Sequence, residues 1–163
     1  MHPESFLVLL AQGLGAGLSP WAPGTVASLL FLLLWWPLAR LSRPRYLLVV
    51  LLVAVAGVPL CGLASGTLGV HDAASVVWDE LGGLLLALAV VPRHPGWGLA
   101  GFAAFRFFDV LKPGPVGWVD LHLNGGLGIV LDDLVAGGLA LVVLWLMVWG
   151  RGRGGFSRDG HTD

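Results

Sequence analysis

Arg106, Asp109 and Lys112 recur at spacings of three inside an otherwise apolar stretch, Phe105-Arg106-Phe107-Phe108-Asp109-Val110-Leu111-Lys112, which Pro113 and Pro115 bring to a stop. On a helix those spacings put a cation, an anion and a second cation on one broad face. Two acidic pairs, Asp79-Glu80 and Asp132-Asp133, also lie against apolar runs, and Asp72 precedes the first of them by seven residues. Together these groups have the chemistry of a metal–phosphate site. Carboxylates hold Mg2+, the ion and the cationic side chains bind phosphate, and one carboxylate activates water. The plainer alternative for the triplet is an ion-pair cluster that satisfies itself. For Asp72 it is a helix N-cap. For Asp132-Asp133 it is a pair of first-turn acids facing a helix dipole.

Ionised groups are costly in such surroundings, on the order of 2.5–3.5 kcal/mol each at the centre of a membrane helix. The surroundings are apolar indeed: 56% of the 163 residues are hydrophobic and 12% are charged. A soluble domain carries roughly twice that share of charge. The composition therefore points to one integral membrane domain, residues 1–149, followed by a Gly/Arg-rich tail, 150–163, expected to be disordered. A net charge of −1 offers no electrostatics for nucleic acid. The single cysteine, Cys61, excludes an internal disulfide and a cysteine zinc cluster, and reads as a small apolar helix residue. No basic residue precedes the apolar start, Phe6 to Ala11, so a cleaved signal is not expected. Trp35, Trp36, Trp97, Trp118 and Trp149 fall near segment ends, where membrane–water boundaries favour them, whereas Trp145 reads as packing.

The elements that must position these groups are helices. A short apolar helix leads into a glycine-rich turn, Gly13 to Gly17, and then Ala22-Pro23-Gly24-Thr25. Taken alone it reads as an ordinary loop, while its backbone N–H groups and the Thr25 hydroxyl also suit a phosphate, and Thr25 is a candidate helix cap. The Lys-Ser/Thr ending of a P-loop is missing. Apolar helices are expected over Val26–Ala39, Tyr46–Ala64, Leu81–Val91, Trp97–Leu111 and Leu134–Trp149. Tyr46–Ala64 is the cleanest span, with Gly57 and Pro59 placed to bend it. A further helix is expected to begin near Asp72, and residues 116–133 read as a loop. The fold class is all-α, a multihelical membrane-embedded bundle of about five to six hydrophobic helices. If each helix reverses direction, every acidic or triplet motif lands at one end and the basic turns, Arg40/Arg43/Arg45, Arg93 and Arg151, at the other.

Some phosphatase chemistries are excluded. No Asp-x-Asp nucleophile motif occurs, and Cys61 is followed six residues later by Thr67 rather than arginine. Water attack with metal assistance, or an aspartyl nucleophile, remains.

Four motifs in fixed order, Gly13 to Thr25, Asp72 to Glu80, Phe105 to Pro113 and Gly125 to Gly137, resemble those of the phosphatidylglycerophosphatase A family, across roughly residues 10–148. The resemblance implies a Mg2+-dependent multi-pass enzyme of the bacterial inner membrane. It would remove the terminal phosphate of phosphatidylglycerophosphate. By position it makes Asp79, Glu80, Asp109, Asp132 and Asp133 the metal and catalytic carboxylates, and Thr25, Arg106 and Lys112 the phosphate contacts. Asp72 is a possible addition, although Ala73 replaces the family's usual proline there. Trp78 stands where the family has an aliphatic residue. The competing reading is a small ion or proton transporter with a carboxylate relay, which would place its acids mid-span rather than at segment ends. The positive-inside rule puts the basic end in the cytoplasm, whereas the family's substrate is made on that side, so the two arguments oppose each other on topology.

Overall fold

A computed structural model of the chain describes residues 3–70 and 73–154. Among the described residues there are seven α-helices, two short 3-10 segments and no strand. The helices are α1 (Pro3–Ala11), α2 (Pro23–Leu38), α3 (Arg43–Leu68), α4 (Trp78–Ala87), α5 (Pro95–Leu111), α6 (Pro115–His122) and α7 (Gly125–Gly154). The all-α expectation holds. Of these helices, two are long and apolar enough to cross a membrane: α3, with 26 residues and mean hydropathy 2.7, and the Gly125–Arg151 part of α7, with 27 residues and mean hydropathy 2.2. At 1.5 Å per residue both exceed a hydrocarbon core of about 30 Å. The remaining helices are too short, because prolines and polar islands interrupt the apolar sequence.

Proline marks most of the starts. Pro23, Pro44, Pro95 and Pro115 occupy the first turns of α2, α3, α5 and α6, where the missing N–H costs nothing and the fixed φ suits a helix. Left-handed residues end two of these same helices: Gly69 caps α3 on the Ser65 carbonyl, and Lys112 caps α5 on the Phe108 carbonyl.

The hub is α4. Asp79 to Leu85 and Ala87 are all buried, enclosed by α2, α3, α5 and α7. It lies closest to α7, and glycine makes that possible. A Cβ on Gly137 would stand 2.3 Å from the Gly83 carbonyl oxygen, and one on Gly83 would stand 2.5 Å from the Asp133 carbonyl oxygen. With no side chain between them the two backbones touch, as small residues allow in membrane bundles. This contact sets the start of α4 beside Asp132 and Asp133. The Tyr46 hydroxyl donates to the Leu85 carbonyl at 2.6 Å and ties α3 to the other end of α4.

The outer surface is apolar. Leu29, Leu30, Leu33 and Leu34 of α2, Leu47, Leu48, Leu51 and Leu52 of α3, and Val142, Val143 and Leu146 of α7 are exposed. Cys61 is fully buried among Leu60, Ala64 and Ile129, the small-residue role expected of it. The reversal of direction also holds. The starts of α2 and α4 and the end of α5 share one cavity, while Arg43, Pro92 and Val148 share another.

Several expectations need correction. Residues 116–133 are mostly helical, because Pro115 and Gly125 each open a helix, so Asp132 and Asp133 sit two turns inside α7 rather than at its mouth. The helix expected from Asp72 begins at Trp78, after a non-helical stretch whose Val77 N–H donates to the Ala11 carbonyl at 2.9 Å. Asp72 itself lies outside the described residues, as do 155–163 of the tail. Residues 150–154 continue α7. In the glycine-rich turn Gly17 packs tightly, since a Cβ there would lie 2.1 Å from the Ser75 carbonyl oxygen, while Ala22, Pro23 and Gly24 line the cavity shared by the starts of α2 and α4. Trp35 is not at a boundary but fully buried, under Gly98 of α5. Trp145 is not core packing but exposed, and stacks on Trp149. Trp78 donates its indole N–H to the Val53 carbonyl of α3 at 3.0 Å, which gives that aromatic residue a packing role.

Candidate active site

One cavity of about 310 Å3 collects nearly all the singled-out residues. Asp79, Glu80, Arg106, Asp109, Lys112, Asp132 and Asp133 line it, with Ala22, Pro23 and Gly24 from the start of α2 and Val110 from α5. Thr25 does not. It occupies the first turn of α2, half-buried, one residue beyond the cavity wall, and the cap position there belongs to Ala22.

Each cation is held between two carboxylates. The Arg106 Nη1 donates to Asp109 Oδ2 at 2.6 Å, one helical turn further along α5, and lies 3.2 Å from Glu80 Oε1 on α4. Lys112 is brought in by its left-handed backbone, φ 43°. Its Nζ contacts Asp132 Oδ2 at 2.7 Å and also Asp120 Oδ1 of α6. Burial alone would disfavour the Lys112 ammonium, but the hydrogen bonds to Asp120 and Asp132 outweigh it and hold the pKa above the ordinary lysine range.

Glu80 is gripped from both sides. Its Oε2 accepts a 2.6 Å hydrogen bond from Ser28, a fully buried hydroxyl on α2. Burial pushes its carboxyl up to about 7, and Arg106 and Ser28 offset part of that rise. Gly24 leaves the room: a Cβ there would fall 1.8 Å from Glu80 Oε1 and 3.0 Å from Arg106 Nη1.

Asp132 and Asp133 point into the same space from α7. Asp132 Oδ1 accepts from the Asp133 N–H at 2.9 Å, which orients it, while Asp133 Oδ2 is buried with no hydrogen-bond partner. A buried anionic oxygen left this way is costly unless something else neutralises it. The donor set consists of hard oxygens, the kind that Mg2+ takes. Among the described residues no three acids already converge as a coordination shell. The chemistry of the set therefore fits a hard divalent cation, with Asp133 Oδ2 as the oxygen most in need of one.

Ser28 and Asp120 are the partners that sequence reasoning missed. A lone serine in the apolar run Val26–Leu34 carries no local signal; only its spacing of four from Gly24 puts it on the same helix face. Asp120 was hidden by reading 116–133 as a loop.

Fold and site together define an all-helical protein with two helices long and apolar enough to cross a membrane, and with an acidic cavity that also holds an arginine and a lysine. The family model described as phosphatidylglycerophosphatase A matches residues 9–148. A protein named phosphatidylglycerophosphatase A from Escherichia coli is 42% identical over 140 residues, covering 85% of this chain and 81% of its own length. Its namesake from Haemophilus influenzae is 42% identical over 139 residues, covering 84% of this chain and 85% of its own. A Bacteroides thetaiotaomicron protein, named as a candidate phosphatidylinositol-3-phosphatase, is 35% identical over 158 residues, covering 91% and 98%. No solved structure matches. The chain belongs to the phosphatidylglycerophosphatase A family.

Proposed function

We propose that this protein hydrolyses the terminal phosphomonoester of phosphatidylglycerophosphate, releasing phosphatidylglycerol and inorganic phosphate, with Mg2+ as cofactor. The observation that carries the reading is a single cavity in which Arg106 and Lys112 sit among five carboxylates, in a chain belonging to this family.

The phosphoryl group in transfer spreads its charge over equatorial oxygens. Arg106 binds these oxygens with its planar fork, and Lys112 adds a point charge from the other wall. Asp79 and Asp133, on facing helices, would hold the ion, with Asp132 next to them. When bound, Mg2+ supplies Lewis-acid neutralisation of phosphate charge. A water attacks phosphorus and the bond from phosphorus to the glycerol oxygen breaks. A cavity carboxylate takes a proton from the water and passes it to the departing glycerol oxygen. The expected roles of Glu80 and Asp109 as further ligands compete with their bonds to Arg106.

A membrane location is supported by the length and hydropathy of α3 and α7 and by the apolar outer surface, which suits the acyl chains of a lipid substrate. A multi-pass protein of the bacterial inner membrane fits that surface. The acids gather at one end of the bundle, which favours a headgroup site over a transporter's mid-span relay.

The test is phosphate release from phosphatidylglycerophosphate in detergent micelles by the purified protein, with Mg2+ and with EDTA, beside Asp79→Asn and Asp109→Asn. Mg2+-dependent release that both variants lose supports the reading. A folded wild type that releases no phosphate with Mg2+ and lipid present overturns it.

A further inference from the structure

We infer that Gly24, Ser28 and Glu80 form a bracket that positions Arg106 for phosphate, and that Glu80 is a positioning residue rather than a metal ligand. Both Glu80 oxygens are engaged by protein groups: Oε2 by the Ser28 hydroxyl at 2.6 Å, Oε1 by Arg106 Nη1 at 3.2 Å. Ser28 is fully buried and Glu80 nearly so, which shields the bond between them from water. Each oxygen keeps a second lone pair, but a divalent ion on Oε1 would sit beside the Arg106 guanidinium already held there at 3.2 Å, and the two cations would repel. Asp133 differs, since its Oδ2 is buried and has no hydrogen-bond partner in the same cavity.

The bracket also explains the start of α2. Gly24 and Ser28 are four residues apart, on one face of that helix. Gly24 supplies the space and Ser28 the donor. A Cβ at position 24 would meet Glu80 Oε1 at 1.8 Å and its Cδ at 2.7 Å, so any larger residue evicts the carboxylate. Arg106 would then keep only Asp109, its neighbour on α5, as an anchor. Two anchors on different helices fix the plane of the guanidinium, whereas one on the same helix leaves it free to swing. The bracket thus links the first motif of the chain to the third without Thr25. The inference rests on the phosphatase reading for what Arg106 holds.

The test separates anion from metal. Ser28→Ala and Gly24→Ala leave the formal charge of the site unchanged, and Asp133→Asn serves as the metal-side control. Mn2+ binding is followed by electron paramagnetic resonance, and inorganic phosphate binding by calorimetry at saturating Mn2+, on detergent-solubilised protein checked for helicity. Ser28→Ala is expected to weaken phosphate binding about tenfold, in keeping with one charge-assisted hydrogen bond. Gly24→Ala is expected to weaken it at least as much. Both should hold Mn2+ within about twofold of wild type, while Asp133→Asn loses it. Should Gly24→Ala fail to fold, Ser28→Ala decides alone. Mn2+ affinity falling in Ser28→Ala as in Asp133→Asn would make Glu80 a ligand and overturn the bracket. Unchanged phosphate affinity in Ser28→Ala would overturn it as well. A wild type that binds neither probe would overturn the phosphatase reading and the bracket with it, a pattern distinct from both others.

Discussion

The two ends of the bundle hold cavities of nearly equal size, about 310 Å3 and about 300 Å3, yet they treat positive charge in opposite ways. At the acidic end Arg106 and Lys112 are half-buried and tied to carboxylates on neighbouring helices. At the other end Arg43 lines a cavity together with Tyr46, Trp35, Leu88 and Val148, and among the described residues no carboxylate lines it. Its neighbours Arg93 and Arg151 lie over the rings of Trp36 and Trp97, at 4.5 Å and 4.8 Å from their centroids. The same helices thus hold cations against carboxylates at one end and against aromatic rings at the other, where Arg93 also donates to the Trp36 carbonyl at 2.9 Å. The difference lies in the partners. A carboxylate opposite a cation in a dry wall holds it in one geometry, whereas an exposed ring adds about 0.5–1 kcal/mol and little direction.

Substitutions that break the acidic end should have the largest effects. Arg106→Lys keeps the charge and loses the fork, and is expected to lower kcat/KM for lipid phosphate release about 10^2–10^3-fold, as losing an oriented donor does. A fall of less than threefold would reduce the acidic end to the level of the basic one. Gly137→Ala tests the helix contact beneath the site. The new Cβ must push α7 off the Gly83 carbonyl, which it would otherwise approach to 2.3 Å. Overpacking of this kind costs roughly 1–3 kcal/mol and moves Asp133 relative to Asp79. A lowered melting temperature, together with at least tenfold weaker Mn2+ binding, is the expected pair of results.

Lys112→Ala should cost less than the change at Arg106, about tenfold in activity, because Lys112 is more exposed and acts as a point charge. The same assay decides the order of the two cations. The pH dependence is smaller again. In EDTA the folded Glu80 carboxyl holds its proton up to about pH 7, against an ordinary 4.5. A raised pKa in the folded state means stability that is present below the ordinary pKa and is lost as pH rises through the folded one. Unfolding in detergent at pH 5 and pH 8 should show a loss of roughly 3 kcal/mol at the higher pH, a slope that Glu80→Gln flattens. Last, Arg93→Ala should leave activity within twofold and stability within about 1 kcal/mol, measured by phosphate release and thermal melts. A large loss there would erase the contrast between the two ends.

Much of the site was legible because its residues are chemically conspicuous. Arg106, Asp109 and Lys112 stand out in an apolar segment, and their spacing already implied one helix face. The paired acids Asp79-Glu80 and Asp132-Asp133 stood out for the same reason, and the alternation of helices placed them at one end. Among the described residues, Thr25 is the one singled-out site residue that the cavity leaves out of its lining. A hydroxyl after Pro-Gly looks like a cap or a phosphate donor, yet the helix begins at Pro23 and leaves Thr25 outside the cavity lining. The loop expected over 116–133 failed because proline and glycine there start helices instead of breaking them.

The sequence by itself determined the helical class, the apolar exterior and the kinds of groups in the site, because hydrophobicity and ionisable side chains are local properties. Only the tertiary structure decided which of those groups serve each other. That Ser28 holds Glu80, that Asp120 shares Lys112, and that Asp133 keeps a buried oxygen without a hydrogen-bond partner all depend on the approach of separate helices. Glycines at 24, 83 and 137 permit that approach, and their effect is steric and long-range, set by what stands opposite them in space.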